Sequence, residues 1–281
     1  STFQMGDSLD GYSISRPLHM VTLSSFYMTK YDITSQQYCD FLNSVDVKVV
    51  DGLVYSSADS SNSYPYCDIS PGIDTQIAVD SNNTFATRIK GGRSIANDPM
   101  VFVTWYGAAA YSNWRSQREG YEQVYNQITW ERYPSKQGYC LPTEAQWEYA
   151  ARGGLPGNRF PWGDTITHDQ ANYLSINWYI YIYDISTTHG YHPIWSIDGI
   201  YPYTSPVSSF AANGYDLYDM AGNVSQWCND RYGSYSSSPQ TDPTGPTTGS
   251  YCILRGGDWD SSAAGCTTSF RNYCTPSYCD D

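Results

Sequence analysis

Three stretches of the chain place apolar residues at helical spacing directly after a capping residue. Thr34 precedes Gln37, and Thr143 precedes Gln146, at the three-residue spacing of a capping box. Thr104 is predicted to cap a third helix. Apolar stripes at i, i+3, i+4 spacing follow the two boxes: Tyr38, Phe41 and Leu42 after the first, and Trp147, Ala150 and Ala151 after the second.

Alternation of apolar and polar positions is confined to short runs. It predicts strands over His19–Leu23, Val101–Val103 and Cys252–Leu254, and a two-sided ribbon over Tyr179–Tyr183. Few helices, short strands and long irregular connections are typical of the α+β class. The chain has no internal repeat and no compositional break that would mark a linker. We therefore predict one α+β domain over residues 1–281.

Two long stretches interrupt this pattern, and we predict that both are insertions. Residues 51–97 are rich in Asp, Ser and Asn and show little apolar periodicity, whereas residues 173–204 are rich in Tyr. Structured loops of this length usually serve a function or cover another surface of the protein.

Composition narrows the classes of partner. The chain has 15 Lys+Arg against 28 Asp+Glu, a net charge of −13, which argues against nucleic acid or an anionic membrane as the partner. No apolar run approaches the roughly 18 residues of a membrane-spanning helix. The 8 cysteines are scattered, without a CxxC pair or the spacing of a zinc finger. Their spacing does not decide whether they form disulfides.

The C-terminal residues have the most unusual composition. Residues 260–281 contain no Lys, Glu, Gln, Met or Trp, and they follow an Arg255-Gly256-Gly257-x-Trp259 frame without helical or strand periodicity. Small polar residues mixed with Tyr and Phe behind an ordered anchor are typical of a recognition surface. An ordinary irregular C-terminal loop is the alternative.

Several segments, in order along the chain, resemble the formylglycine-generating enzyme family of sulfatase-modifying factor domains, a branch of the C-type-lectin-like folds. They are RPLHMVTLSSF at 16–26, KYDIT at 30–34, PMVFVTWY at 99–106, LPTEAQWEYAARGG at 141–154, FPWGD at 160–164, NGYDLYDMAGNV at 213–224 and RGGDW at 255–259. The resemblance implies a C-type-lectin-like α+β fold with short twisted strands. It says less about function, because one fold hosts several chemistries.

The family's oxidase chemistry can be compared residue by residue. The resemblance implies a copper-dependent reaction of two cysteines five positions apart, and these positions fall on Ser261 and Cys266. Serine offers neither a soft ligand for Cu(I) nor a redox partner, so we predict that the chain is not an enzyme and that Cys266 is buried. An oxidoreductase that pairs Cys266 with Cys274 is the alternative. The 4 histidines include no triad of the kind that the iron-dependent branch needs.

The resemblance also implies two structural calcium sites, although no cofactor is required for the predicted function. Calcium prefers hard oxygen ligands, and glutamine stands at the position of an expected glutamate, which weakens the first site. A role for these residues in capping turns is the alternative. The implied ligands are Asp219, the carbonyls of Gly222 and Val224, and Gln226 at one site, and Asn172 with the carbonyl of Tyr173 at the other.

A non-catalytic branch of the fold resembles both the body and the tail of this chain: the variable proteins of diversity-generating retroelements, of the TvpA type. In that group, rewriting of adenines in Asn codons never yields Lys, Glu, Gln, Met or Trp, and residues 260–281 obey this restriction. The resemblance implies a binding surface for a protein or other macromolecule, displayed at the cell surface through a lipid-anchored segment absent here. Family members usually continue to a Gly-Phe-Arg strand, so either the chain continues beyond Asp281 or its closing strand differs.

Within a variable region near residues 258–281, position along the chain separates contact residues from scaffold. We predict that the scaffold residues are Trp259, Ala263, Cys266, Arg271 and Pro276. We predict that the ligand-binding residues are Asp260, Ser261, Ser262, Gly265, Phe270, Tyr273, Cys274, Thr275, Tyr278 and Asp280.

Overall fold

The computed structural model describes residues 1–176, 181–196 and 203–278. The chain forms two compact units. The first combines Ser1–Asp32 with Pro142–Cys274, and the second combines Ile33–Leu141 with Thr275–Asp281. Whether the chain behaves as one domain therefore stays a prediction.

The regular elements are short and follow one another in chain order. They are β1 (Thr2–Met5), a 3-10 turn (Ser13–Ser15), β2 (His19–Thr22), α1 (Ser35–Leu42), β3 (Val47–Val50), β4 (Leu53–Ser56), β5 (Cys67–Asp68), β6 (Ile77–Val79), β7 (Phe85–Thr87), β8 (Ile89–Lys90), β9 (Arg93–Ser94), α2 (Trp105–Arg118), α3 (Glu144–Ala151), β10 (Gln226–Arg231), β11 (Gln240–Thr241), β12 (Cys252–Arg255) and β13 (Asn272–Cys274).

The three helices begin where the capping residues predict. Thr34 and Thr143 each accept a hydrogen bond from the N3 backbone amide, and the side chain of the N3 glutamine returns a bond to the cap. Thr104 accepts from the amide of Gly107. These bonds satisfy amides that have no partner inside the helix, so the helix starts are fixed locally.

The first unit contains two three-stranded sheets and α3. β1 and β11 flank β2, antiparallel and parallel to it, and β12 lies between β10 and β13 in an antiparallel sheet. The buried face of α3 packs through Trp147 against Met220 and Ile253. The strands predicted at His19–Leu23 and Cys252–Leu254 are confirmed within one residue, and the second of them leads directly into the Arg-Gly-Gly frame.

The second unit contains α1, α2 and three small antiparallel sheets. The strand predicted over Val101–Val103 is wrong. Phe102 has φ 59, outside the range of extended backbone, and only Val103 forms an isolated bridge, to Cys67. Residues 51–97, predicted as an insertion, contain the short strands β4 to β9.

The ribbon predicted over Tyr179–Tyr183 is not a strand where it can be described. Residues 179 and 180 lie outside the described residues, and Ile182 and Tyr183 form a turn. In the described ranges, none of the helices is both long enough and apolar enough to span a lipid bilayer.

Candidate functional site

Arg255, the last residue of β12, connects the sheet to the far end of the loop that follows it. The guanidinium is 1% exposed and lies over the Trp147 ring, 5.0 Å from its centroid. Its Nη2 donates to Glu148 Oε2 at 2.5 Å and to the carbonyl of Thr268 at 2.8 Å, and its Nη1 donates to the carbonyl of Ser269 at 3.0 Å. One buried side chain therefore fixes the loop at both ends.

Arg271 forms a second buried anchor just before β13. It is 2% exposed and makes a two-pronged ion pair with Glu144, with Nε and Nη2 at 2.6 and 2.8 Å from the two carboxylate oxygens. Its Nη1 donates to the carbonyls of Ile14 at 2.8 Å and Gly233 at 3.0 Å. Charge-assisted bonds of this kind are strong and directional. The two buried arginines therefore fix the backbone path of residues 256–271 from the interior side.

The two frame glycines let the loop turn back on itself. Gly256 and Gly257 have φ of 94 and 69, which is left-handed backbone that favours glycine. A Cβ on Gly257 would lie 2.9 Å from the carbonyl oxygen of Gly265. The frame therefore needs glycine here for its conformation and for the close approach of the loop.

The side chains predicted as scaffold are all buried. Trp259 packs against the rings of Tyr191 and Tyr203, with centroids 5.6 and 5.1 Å apart, and its amide donates to the carbonyl of Asn223. Ala263 and Cys266 belong to an apolar cluster in the first unit. Arg271 is the anchor described above, and Pro276 is buried within the second unit.

The side chains predicted to contact a ligand are all at least partly exposed where they are described. Asp260 is exposed and accepts a hydrogen bond from the Tyr191 hydroxyl at 2.9 Å. Asp280 lies outside the described residues. Exposed or half-buried in the first unit are Asp260, Ser261, Ser262, Gly265, Phe270, Tyr273 and Cys274, and exposed in the second are Thr275 and Tyr278. A role in binding stays a prediction.

Three aromatic contacts extend this surface beyond the tail. The Tyr273 ring on β13 lies 4.0 Å from that of Tyr232 and 5.3 Å from that of Tyr251, centroid to centroid. Phe270 meets Tyr12 edge-on at 5.5 Å. Aromatic side chains give large contact area at low entropic cost. The aromatic partners from outside the tail were not predicted from the sequence.

Ser261 and Cys266, the positions that correspond to the family's thiol pair, have structural partners. The Ser261 hydroxyl donates to Asp258 Oδ1 at 2.8 Å, and Ser225 donates to Oδ2 at 3.0 Å. Burial raises the pKa of Asp258. The Cys266 thiol is fully buried, and burial also raises its pKa well above the usual value. A protonated, buried thiol is a poor nucleophile and a poor copper ligand.

The first implied calcium site differs from expectation at Gln226. Its Oε1 accepts from Trp147 Nε1 at 2.6 Å, and its Nε2 donates to Asp32 Oδ1 at 2.8 Å and to the carbonyl of Asp219 at 3.1 Å. Both ends of the amide are therefore occupied by protein. Asp219 Oδ1 and Asp32 Oδ2 are buried without a hydrogen-bond partner among the described residues, and burial raises the pKa of both carboxyls. Asp32 was not predicted as a ligand.

At the second implied site, some of the implied ligand oxygens already have hydrogen-bond partners within the protein. The carbonyl of Asn172 accepts from the amide of Asn223 at 2.7 Å, whereas Asn172 Oδ1 is buried without a partner among the described residues. The carbonyl of Tyr173 lies 3.1 Å from His168 Nε2.

At the first site, the main-chain oxygen of Gly222 accepts from the amide of Val224 at 3.0 Å. Buried oxygens without partners at Asp219 and Asp32 make the first site the better fit to a cation.

The histidines have main-chain or hydroxyl partners. His192 Nε2 lies 2.8 Å from the carbonyl of His168, and His189 Nδ1 lies 3.0 Å from the hydroxyl of Ser175. His19 packs against the Tyr235 ring at 4.8 Å. Over the described ranges, no group of three or more His, Cys, Asp or Glu side chains is placed to hold a metal ion.

The short sheets, the few capped helices and the long loops define a C-type-lectin-like α+β fold. The model of the sulfatase-modifying factor enzyme 1-like domain matches residues 1–281, and the chain belongs to this family. Solved structures with a similar fold include Treponema denticola variable protein 1, with TM-score 0.65, 24% identity and coverage of 99% of this chain and 88% of that one. PvdO from Pseudomonas aeruginosa has TM-score 0.64 and 23% identity over 100% of this chain and 87% of that one.

Relatives by sequence carry two different names. The formylglycine-generating enzyme of Streptomyces coelicolor is 32% identical over 272 residues, which cover 92% of this chain and 76% of that protein. The serine/threonine-protein kinase pkn1 of Chlamydia caviae is 32% identical over 258 residues, 90% of this chain. The chain spans only 31% of the length of that kinase, so the match concerns one part of it.

Proposed function

We propose that the chain is a non-catalytic binding protein whose C-terminal residues present a diversified surface to a protein or other macromolecular ligand. The observation that carries this proposal is the division within residues 255–274: Arg255 and the scaffold side chains are buried, while the predicted contact side chains reach the surface. A surface fixed from beneath by Arg255 and Arg271 tolerates changes in its outward side chains, because core packing dominates stability.

The chemistry of the outward side chains suits recognition. Tyr273 and Phe270 supply aromatic contact area, and Asp260, Ser261 and Ser262 supply short polar groups. The net charge of −13 disfavours nucleic acid as the ligand. We further propose display at the cell surface through a lipid anchor, which protease treatment of intact cells tests: loss of the protein supports the idea, and complete protection contradicts it.

Library selection tests the proposal directly. Codons for Asp260, Ser262 and Tyr273 are randomised in the full chain, displayed on yeast, and selected against hen egg lysozyme as a defined protein probe. A matched library randomises Ser236, Ser237 and Ser238, which are exposed in a different loop of the first unit. The proposal predicts folded clones in both libraries and specific binders from the tail library. Absence of folded clones in the tail library, or equal yields of binders from both, contradicts it.

An oxidoreductase of the formylglycine-generating type is the second candidate, favoured by the 32% identity to the Streptomyces coelicolor enzyme. The thiol pair open to it is Cys266 with Cys274. Cys266 is fully buried, whereas Cys274 lies on β13 opposite Cys252, which makes this the weaker candidate. Copper-dependent conversion of a Cys-containing peptide that is lost in Cys266→Ala would establish it, and no conversion by the wild-type chain would eliminate it.

We infer that binding needs no cofactor and that Asp219 and Asp32 hold a structural calcium ion. Burial raises the pKa of both carboxyls, and the neighbouring Asp219 carboxylate raises that of Asp32 further. A calcium ion would supply the missing positive charge. It would act on stability, and the outward side chains of the tail would bind without it.

A further inference from the structure

Two cysteines lie directly opposite each other at the ends of the candidate binding loop. β12 and β13 are antiparallel, and their register pairs Cys252 with Cys274, Ile253 with Tyr273 and Leu254 with Asn272. Directly opposed residues of an antiparallel pair point to the same face, with Cα atoms about 4.5 to 5.5 Å apart. This range lies inside the roughly 4.4 to 6.8 Å that a disulfide spans.

The two side chains differ in their access to solvent. Cys252 is fully buried, whereas Cys274 is half-buried on β13, next to the exposed Tyr273. The structure contains both as thiols. Arg231, the register partner of Cys252 on β10, donates from Nη1 to the Cys252 sulfur at 3.2 Å. Burial raises the pKa of the Cys252 thiol to about 12, and the Arg231 guanidinium acts in the opposite direction.

We propose that Cys252 and Cys274 form a cross-strand disulfide when the protein meets a small-molecule disulfide such as oxidised glutathione. The thiolate of Cys274, the accessible partner, attacks one sulfur of oxidised glutathione and releases one glutathione thiolate. The thiolate of Cys252 then attacks the Cys274 sulfur and releases the second. Two protein thiols are oxidised to one disulfide, and one glutathione disulfide is reduced to two thiols.

The bond would close a covalent ring around the candidate binding loop. Residues 252–274 contain the Arg-Gly-Gly frame, both buried arginine anchors and most of the predicted contact residues. A ring of roughly 20 residues restricts the unfolded chain and holds β13 against β12. Its benefit for ligand binding rests on the proposed function, whereas formation of the bond does not. Oxidising conditions outside the cell favour it.

Peptide mapping tests the proposal. The full chain is incubated with oxidised glutathione at pH 8, alkylated and digested with trypsin without reduction. Trypsin cleaves after Arg231, Arg255 and Arg271, so the three cysteines fall in different peptides. Cys252 lies in residues 232–255, Cys266 in residues 256–271, and Cys274 in the peptide that begins at Asn272. The expected product is the first peptide linked to the third. We also expect the linkage to form faster as pH rises, since the buried thiol must ionise.

Single variants distinguish the candidate sulfurs. Cys274→Ser should abolish the linkage, and Cys279→Ser, which changes the other cysteine of the same tryptic peptide, should leave it intact. The oxidised wild type should melt about 5 to 10 °C above the reduced protein, and oxidised Cys274→Ser should show no such shift. Failure of the two peptides to link, or linkage that survives Cys274→Ser, overturns the proposal. Neither result depends on ligand binding.

Discussion

Replacement of Arg271 by methionine should destabilise the protein far more than any change at an exposed neighbour. The substitution leaves the Glu144 carboxylate, which is 4% exposed, without its two-pronged partner. The carbonyls of Ile14 and Gly233 also lose their charged donor. Removal of one member of a buried ion pair costs about 3 to 5 kcal/mol. The Tyr235 hydroxyl still donates to Glu144 at 3.0 Å, and Arg255 Nη1 remains 3.7 Å from Glu144 Oε1, so we expect the lower end, about 3 kcal/mol.

Urea unfolding followed by circular dichroism measures this loss. Arg271→Lys should give an intermediate loss, because an ammonium keeps the charge but cannot make both bonds to Glu144. Asn272→Ala is the matched control, one residue along the chain and exposed, with an expected change of about 0.5 kcal/mol or less. A loss in Arg271→Met below about 1 kcal/mol, or an equal loss in the control, would refute the idea that the buried arginine fixes the loop.

Two further predictions concern the frame and the cation site. Gly257→Ala should lower the free energy of unfolding by about 2 kcal/mol in a thermal melt, because the added Cβ clashes with Gly265 and the residue is held in left-handed backbone. Gly11→Ala is the control: its φ is similar, but an added Cβ would have no atom within 4 Å, so it measures the backbone strain alone. An equal loss in both variants would contradict the clash. Burial raises the pKa of Asp219 to about 6, so the metal-free protein should lose stability as pH rises from about 4 to about 6, where the folded state holds a proton that the unfolded state has released. Calcium should therefore raise the melting temperature more at pH 7 than at pH 5, and Asp219→Asn should remove the difference; equal stabilisation at both pH values would contradict the site.

The helix starts were predictable because their information is local. A capping box closes within four residues, so Thr34 and Thr143 indicate α1 and α3 whatever surrounds them. The alternation at Val101–Val103 misled because alternation alone does not supply a partner strand. Phe102 instead has φ 59, and its carbonyl accepts a hydrogen bond from the amide of Asp68 at 3.0 Å. No pattern of apolar residues indicates this conformation.

The remote parts of the candidate site could not be predicted for a different reason. Gln226 donates to Asp32, which lies 194 positions away in the sequence. The aromatic partners Tyr191 and Tyr232 likewise come from loops that are distant from the tail in sequence. Such contacts depend on how distant segments meet, and strand register likewise decides that Cys252 faces Cys274. The resemblance to a family located the frame and the missing thiol at Ser261, and position along the tail separated the side chains that are buried from those that are exposed.

Sequence variation of this gene among isolates from one source tests the account most directly. Diversification of a displayed surface predicts substitutions concentrated at the outward positions, such as Asp260, Ser262 and Tyr273, with Arg255 and Trp259 unchanged and a near-identical template repeat and a reverse transcriptase nearby. Residues 260–281 that are invariant among isolates, with no template repeat at the locus, would contradict it.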